Sequence, residues 1–426
     1  MRVGDLESWV RRPWGAAART LLHLAGDPAL RMRLWTGEEV GPDPEHSVGT
    51  VVVHDAAAFL RLASDPDLQV GDLYTEGRLD FEGPMHEILA SLFQRRPKLG
   101  TSNWVPDALR RGLLDTSLGR AAENAQHHYD VGNEFYQLWL DERMVYTCAY
   151  FAEPGMSLED AQLAKMDHVC RKLALRPGDE VIEAGCGWGS LALHMARHYG
   201  VTVRACNVSK EQIVWAREQA GKQGLAGRVE FIEDDYRNLR GSCDAFVSVG
   251  MLEHVGVGHY EALGGLIDRL LRPEGRGLIH TIGRSRPQPL NKWTQKRIFP
   301  NAHPPTPAEM MRILEPQDFA LLDMENLRLH YRDTVHEWLR RYERAYPAAE
   351  SLVGTERARA WRLYLAGTWA SFARATLQLY QLVFTRAVND VIPRTRAHLY
   401  GDASARFHDE EPARRAPDDP GAPDES

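Results

Sequence analysis

Between Gly178 and Met251 the chain alternates short apolar runs with helix-patterned segments of roughly a dozen residues: DEVIEAGC, SLALHMARHYG, VTVRACNV, EQIVWAREQAGKQG, RVEFIED and CDAFVSVGM. Strands separated by helices cannot pair as tight hairpins; each crosses over a sheet face and returns parallel to its predecessor. The alternation therefore predicts an α/β architecture with a mostly parallel sheet, helices on its faces and ligands at the carboxyl ends of its strands.

The rest of the composition narrows the class. A chain of 426 residues with 43% hydrophobic residues can bury a core without disulfide staples, and its length suits one large domain and one small one. No stretch approaches the ~20 apolar residues of a membrane span, and MRVGDLESWVRRPW lacks the apolar centre of a secretion signal, so the expectation is a cytoplasmic protein. Cys148, Cys170, Cys186, Cys206 and Cys243 show no CxxC spacing, which predicts reduced thiols rather than a disulfide framework or zinc site. The net charge of −8 gives no electrostatic reason to expect nucleic acid, and 8 acidic against 3 basic residues from Gly401 onward put most of it in the tail.

Residues 1–115 read as a small α+β domain: a helical start, the alternating VGTVVVH, the helix-like AAAFLRLAS, and VGDLYTEGRLDF, where Gly71 and Gly77 punctuate short extended pieces. A linker at 116–125 follows the Pro- and Gly-broken RRPKLGTSNWVPDALRRGLLD, the catalytic domain occupies 126–400, and the Pro- and acid-rich 401–426 is expected to be disordered. Beyond Gly283, strand-like character is expected around LLDMENLRLHY. Val335 to Val391 reads as helical, with Trp361, Leu365, Trp369, Phe372 and Leu379 as an apolar stripe against the core.

The chemistry begins at Glu183-Ala-Gly185-Cys-Gly187-Trp-Gly189, between a strand and a helix. Glycines there admit positive φ and a close ligand, and the helix start supplies N–H donors. The spacing is not the GxGxxG that seats a pyrophosphate, and a carboxylate in the loop repels phosphate but attracts a cationic amine. S-adenosylmethionine carries an amino group and a sulfonium, and the loop resembles motif I of the class I methyltransferases. After the next strand, Ser209 and Gln212 fit either cofactor contacts or a helix capping box. In Glu233-Asp234-Asp235, Asp234 and Asp235 are the candidates for the adenine amino group.

QHHYDVGNEFYQLWLDERMVYTCAYF, VGMLEHVG, LIHTIG, DYR and LHYRDT together resemble the cyclopropane-fatty-acyl-phospholipid synthase family over about Gln126 to Phe384. LYTEGRLDF is similar to the small lipid-binding domain of its phospholipid-acting branch. The resemblance implies a class I methyltransferase, Rossmann-like fold behind that N-terminal lipid-binding domain. It also implies methyl transfer from S-adenosylmethionine to a cis double bond, then proton loss and closure to a cyclopropane. Bound bicarbonate is the implied base, held by the residues matching Cys148, Glu253, His280, Ile282 and Tyr331, while His254 is as well explained by a structural role. Tyr129 is implied to close over the cofactor.

Such chemistry needs a dry site, aromatic faces for a carbocation and a base that adds no positive charge. The rivals are a 10-methylene or 10-methyl product from the same cation, and N-methylation of a lipid head group or small amine. No metal site is expected, since His127-His128-Tyr129-Asp130 and EHVGVGH lack metal-ligand spacing. The implied partners are membrane phospholipids with unsaturated acyl chains, met peripherally at the inner face of the cell membrane, with a homodimer left open.

Overall fold

In the computed structural model, which describes residues 3–93 and 132–400 (3–12 by backbone alone), the N-terminal portion is built on four short strands. They are β1 (Arg31–Leu34), β2 (Glu39–Val40), β3 (Thr50–Val53) and β4 (Leu79–Glu82), in the order β2-β1-β3-β4 with only β1 and β3 parallel. Alternate residues of β1 and β3 are buried, which is the period-2 signal read in VGTVVVH. The helix Ala56–Ser64 follows as expected, capped by Asp55, whose carboxylate accepts the Ala58 amide at 2.8 Å and pairs with Arg78.

The expectation for Gly71 is corrected. Pro66 at the first helical position starts a helix, Pro66–Thr75, so Gly71 sits inside a helix rather than between extended pieces. A glycine is tolerated there because the Trp293 ring lies against it: a Cβ on Gly71 would come within 2.3 Å of Trp293 Cγ and Cδ1. Only Gly77, with φ +72°, punctuates the chain as read.

The central alternation forms one seven-stranded sheet. Its strands are β5 (Glu180–Ala184), β6 (Thr202–Asn207), β7 (Val229–Glu233), β8 (Cys243–Val249), β9 (Leu271–Gly283), β10 (Phe319–Asn326) and β11 (Gln378–Arg386), in the order β10-β11-β9-β8-β5-β6-β7. Strands β5 to β9 pair in parallel and β11 is antiparallel to both its neighbours. The chain leaves β5 toward β6 on one side and returns through β8 on the other, so a crevice opens at the carboxyl ends of β5 and β8.

β11 is the second correction. Residues 335–391 were expected to be helical throughout, but the helices are Arg328–Val353 and Thr355–Ala373, and Gln378–Arg386 is a strand. Eight of its nine residues are buried, so both faces are covered and the polar alternation that marks a half-exposed strand is absent. Leu379 thus leaves the helical stripe, while Trp361, Leu365 and Phe372 stay in it and are buried. Tyr331, read in a strand-like segment, stands in the first turn of the helix 328–353.

One apolar cluster runs from the N-terminal strands and helices through Phe135, Tyr136 and Trp139 to the helices 328–353 and 355–373. Contacts divide the chain into two compact units, residues 1–389 and 390–426; within the second, the described residues include the short helix Ala397–Tyr400. The expected boundary near 115, the linker 116–125 and the tail 401–426 lie outside the described residues. Among the described residues no helix is long and apolar enough to cross a membrane. All five cysteines are buried and unbridged.

Candidate active site

The glycine loop after β5 opens a pocket at the crevice. Glu183, Gly185, Gly187, Gln212, Asp234 and Asp235 line it together with Lys165 and Tyr146, Thr147, Trp188, Met251, His254 and Phe299. Glu183 ends β5 with 2% exposure, and its Oε2 has no hydrogen-bond partner. Desolvation lifts its carboxyl to about 7, against the opposing pull of the Lys165 charge. A buried carboxylate oxygen without a donor fits the α-ammonium of S-adenosylmethionine.

The neighbouring candidates separate by role. Ser209 caps the helix Lys210–Lys222 by accepting the Gln212 amide, whereas Gln212 presents an unpaired Nε2 donor to the pocket while Asn207 Nδ2 donates to its Oε1 at 2.6 Å. Ser209 is therefore a cap and Gln212 the ligand-facing residue. Gly189 is not on the pocket wall: at φ +85° its missing Cβ leaves room for Phe231 and Ala216, at 2.6 and 2.8 Å, so it serves helix-to-sheet packing. Asp235 is held by Arg237 through contacts of 2.8 and 2.7 Å, and Asp234 accepts from Asn238 and the Asp235 amide. Trp188 donates to Asn133 Oδ1 at 2.8 Å, which ties the loop to the short helix Asn133–Gln137. Tyr129 lies outside the described residues.

The five residues expected around an anion fall into three groups. Glu253, in the turn of helix Leu252–Val255 after β8, accepts the Ile282 amide on Oε1 at 2.5 Å and leaves Oε2 unpaired. Burial raises its carboxyl to about 7. Ile282 thus spends its backbone donor on Glu253. His280, on β9, is 2% exposed, and Gln381 meets its Nδ1 at 3.0 Å because the two residues are paired in register on β9 and β11. With the Gln381 amide nitrogen as the donor there, the imidazole proton sits on Nε2, which has no partner. Desolvation holds this ring well below its usual pKa, hence neutral.

Cys148 and Tyr331 form the third group around Leu327: the Cys148 thiol lies 3.9 Å from the Leu327 carbonyl, which accepts the Tyr331 amide at 3.1 Å. Burial pushes the Cys148 thiol well above its ordinary pKa, so it is no nucleophile. Tyr146 and Tyr364 extend this group through their hydroxyls. The Tyr146 hydroxyl donates to that of Tyr364 at 3.3 Å, and Tyr146 and Tyr331 both pack on Trp338, at 5.3 and 5.9 Å. His254 lines the same pocket as Tyr146 and packs on Phe299 at 5.7 Å, and burial lowers it to about 4.

Lys165, Tyr146, Phe299 and Gln381 were not among the sequence candidates. Lys165 reads as one more charge in AQLAKMDH, and only its spacing from Ala161, Met166 and Val169 on one helix face hinted at burial. Phe299 lies in the Pro-rich 284–306, where no period exists to place it. Among the described residues no group of three His, Cys, Asp or Glu could hold a metal ion.

Residues 116–382 match the family described as mycolic acid cyclopropane synthetase. The chain is 34% identical over 384 residues to a probable fatty acid methyltransferase of Pseudomonas putida, covering 87% of this chain and 96% of that protein. It is 35% identical over 342 residues to the cyclopropane-fatty-acyl-phospholipid synthase of Escherichia coli K12, covering 78% and 86%. The crystal structure of the mycolic acid cyclopropane synthase CmaA1 complexed with SAH and CTAB aligns at a TM-score of 0.60 and 27% identity, over 62% of this chain and 98% of that one.

Proposed function

Because the chain belongs to the mycolic acid cyclopropane synthetase family, and is thus an S-adenosylmethionine-dependent methyltransferase, we propose that it converts cis double bonds of unsaturated phospholipid acyl chains to cyclopropanes. The observation that carries this reading is Glu253: a buried carboxylate beside the cofactor pocket, with one oxygen fixed by the Ile282 amide and the other unpaired. A head-group or amine N-methyltransferase would need no anion-binding arrangement beside that acid, whereas the unpaired Glu253 Oε2 and His280 Nε2 offer the acceptor and donor of one.

S-adenosylmethionine supplies the electrophilic methyl group and the positive charge that passes to the acyl chain. Glu183 and the Gln212 amide would hold its amino-acid and ribose parts, and Asp234 or Asp235 would meet the adenine; that all four line one pocket supports this assignment. Tyr146 and Phe299 line the pocket, and Tyr364 meets Phe299 in a T-shaped contact at 5.5 Å. Such faces stabilise a carbocation without acting as nucleophiles. His254 is neutral above about pH 4 and adds no opposing charge.

Bicarbonate, when bound, would supply the base for the proton that leaves. The residues present fit it: His280 Nε2 is an unpaired donor and Glu253 Oε2 an unpaired acceptor, the two functions that a singly protonated oxyanion requires. Glu253 must be ionised to accept a proton, so activity is expected to rise through about pH 7.

The phospholipid substrate is supported by the name of the E. coli relative. The Pseudomonas match also covers more of this chain than residues 116–426 contain, so it reaches into the N-terminal portion, which we assign to lipid binding over 1–115 at the inner face of the membrane.

The test is to incubate the purified protein with S-adenosylmethionine, bicarbonate and mono-unsaturated phospholipid liposomes, then analyse the lipids by mass spectrometry and proton NMR. The expected product is one methylene heavier with upfield ring protons. Vinylic protons on an added carbon would replace the reading with a methylene-forming enzyme. Methylation of a head group alone would overturn it. Glu253→Gln should lower turnover ~10²-fold or more while leaving cofactor binding in place.

A further inference from the structure

Strand β11 is covered on both faces, yet it carries Gln381 at 0% exposure. A buried amide is costly unless its groups are bonded, and a leucine would fill the place without that cost. Among the described residues the one side-chain hydrogen bond of Gln381 is to His280: its Nε2 lies 3.0 Å from His280 Nδ1, while its Oε1 has no partner. The contact follows from register, since Gln381 of β11 is paired with His280 of β9, and paired residues put their side chains on one face of the sheet. His280 is buried in turn; its carbonyl accepts the Gly250 amide at 2.9 Å, and Ile282, two residues on, donates to Glu253.

Resting on the reading of an anion site at Glu253 and His280, we propose that Gln381 is a positioning residue: its amide N–H, donated to His280 Nδ1, confines the imidazole to the Nε2–H form and so gives the anion site its donor. A neutral imidazole has one donor nitrogen and one acceptor, and whatever bonds to one nitrogen decides the role of the other. With Nδ1 occupied as an acceptor, the unpartnered Nε2 carries the proton. Turned over, the Gln381 amide would offer Oε1 to Nδ1 and draw the proton there. His280 Nε2 and the ionised Glu253 Oε2 would then both be acceptors, and a small oxyanion would find no donor between them.

The charged neighbours leave this choice to Gln381. Glu325 of β10 stands in register with Gln381, so Glu325, Gln381 and His280 form one row across three strands. The carboxylate at the end of the row is taken by His168 and Lys172 of the helix Leu158–Leu173, at 2.7 and 2.6 Å. Among the described residues no carboxylate is within ion-pair distance of His280 itself. Burial and the Lys165 and Lys172 charges keep its ring neutral, with Glu325 opposing them. An imidazole that stays neutral must choose between its two nitrogens, and the Gln381 amide is the group that meets one of them.

The experiment reads the imidazole directly, by nitrogen-15 NMR of the histidine-labelled full-length protein at neutral pH with no bicarbonate added. The His280 signals are identified by their loss in His280→Gln. The unmodified protein should show Nε2 protonated and an Nδ1 signal displaced by an accepted hydrogen bond. In Gln381→Met, unbranched and without the donor, the Nδ1 signal should move to the position of a free acceptor nitrogen, and an Nδ1–H form should become populated. The bicarbonate concentration for half-maximal turnover should rise ~3- to 10-fold while S-adenosylhomocysteine affinity is unchanged. A proton on Nδ1 in the unmodified protein overturns the proposal, as do unaltered nitrogen signals in Gln381→Met, or altered signals with an unaltered bicarbonate requirement. Should Gln381→Met not fold, Gln381→Leu takes its place, and the spectrum of the unmodified protein still decides the tautomer. Turnover by the unmodified protein that ignores bicarbonate, with the Nε2–H form in place, would instead remove the anion reading.

Discussion

Replacing Gly71 with alanine tests whether the N-terminal portion shapes the catalytic pocket from a distance. Gly71 lies in the helix 66–75, and the nearest obstacle to a methyl group is the ring of Trp293, whose atoms would be 2.3–2.4 Å away. An ordinary carbon contact is ~3.5–4.0 Å, so the ring must withdraw by more than about 1 Å. Nothing polar holds it, since the buried Trp293 Nε1 has no partner. Alanine gains ~1 kcal/mol of helix propensity over glycine, while overpacking costs ~1–3 kcal/mol, so the net loss is about 0–2 kcal/mol and the fold survives.

Function should not escape so lightly. Trp293 opens the segment that continues to Phe299, Pro300 and Asn301 on the pocket wall, and the same segment is tied to the N-terminal helices by Asp67–Lys292, Asp65–Lys292 and Asp72–Arg297 contacts. A shift of ~1 Å in a wall that positions reactants costs up to ~10²-fold in rate. Methyl transfer to liposomes should therefore fall ~10- to 100-fold in Gly71→Ala with a melting temperature changed by only a few degrees, and Trp293→Leu in the same chain should restore part of it. Full activity with unchanged tryptophan fluorescence would refute the coupling. So would a melting temperature lowered by tens of degrees.

Other outcomes follow from single residues. Arg297→Ala strands the Asp72 carboxylate, 7% exposed, and should cost ~1–3 kcal/mol in urea unfolding, whereas Asp72→Asn leaves only a half-exposed guanidinium and should cost less than about 1 kcal/mol. Gly189→Ala meets Phe231 and Ala216 at a positive φ and should lose about 2–4 kcal/mol, measured by denaturant midpoint. Gly187→Ala, with open space around its Cβ position, should lose about 1–2 kcal/mol and show its larger effect on cofactor affinity. Glu325 is pulled to about 2: desolvation opposes ionisation, but the His168 hydrogen bond and the Lys172 charge outweigh it. A depressed carboxylate stabilises above the unfolded value of 4.5, and that contribution is lost as pH falls toward 2. The stability gap between the unmodified protein and Glu325→Gln should accordingly close over that window in acid-denaturation curves.

What the sequence revealed and what it hid divide along physical lines. Strands β5 to β8 and the helices between them follow the read segments closely, because a change of period from 2 to 3.6 is a local property of the chain. β11 was read as helix because QLYQLVFTR is buried on both faces, and a short continuous apolar run carries no period that separates strand from helix. Gly71 was misplaced because its neighbour Trp293 is more than two hundred positions away. The functional motifs were legible wherever a charged or small residue followed a strand, as at Glu183 and Glu253. Lys165 was invisible for the opposite reason: a lysine in mid-helix is usually solvated, and only the assembled tertiary structure shows it sealed under the pocket.

The position of β11 also sets a timetable for the molecule. Among the described residues it is the last strand to be synthesised, yet it is inserted between β10 and β9, so β9 emerges from the ribosome with one edge open and waits for roughly a hundred more residues. At ~5–20 residues per second that is about 5–20 s during which the nascent sheet can mispair. Gln381 arrives with the same strand, so until then the hydrogen bond at His280 Nδ1 is missing. A growing chain can thus carry the whole glycine loop and its parallel strands while the sheet edge at His280 is still open, and the pairing of β11 with β9 closes that edge only after the glycine-loop half is complete.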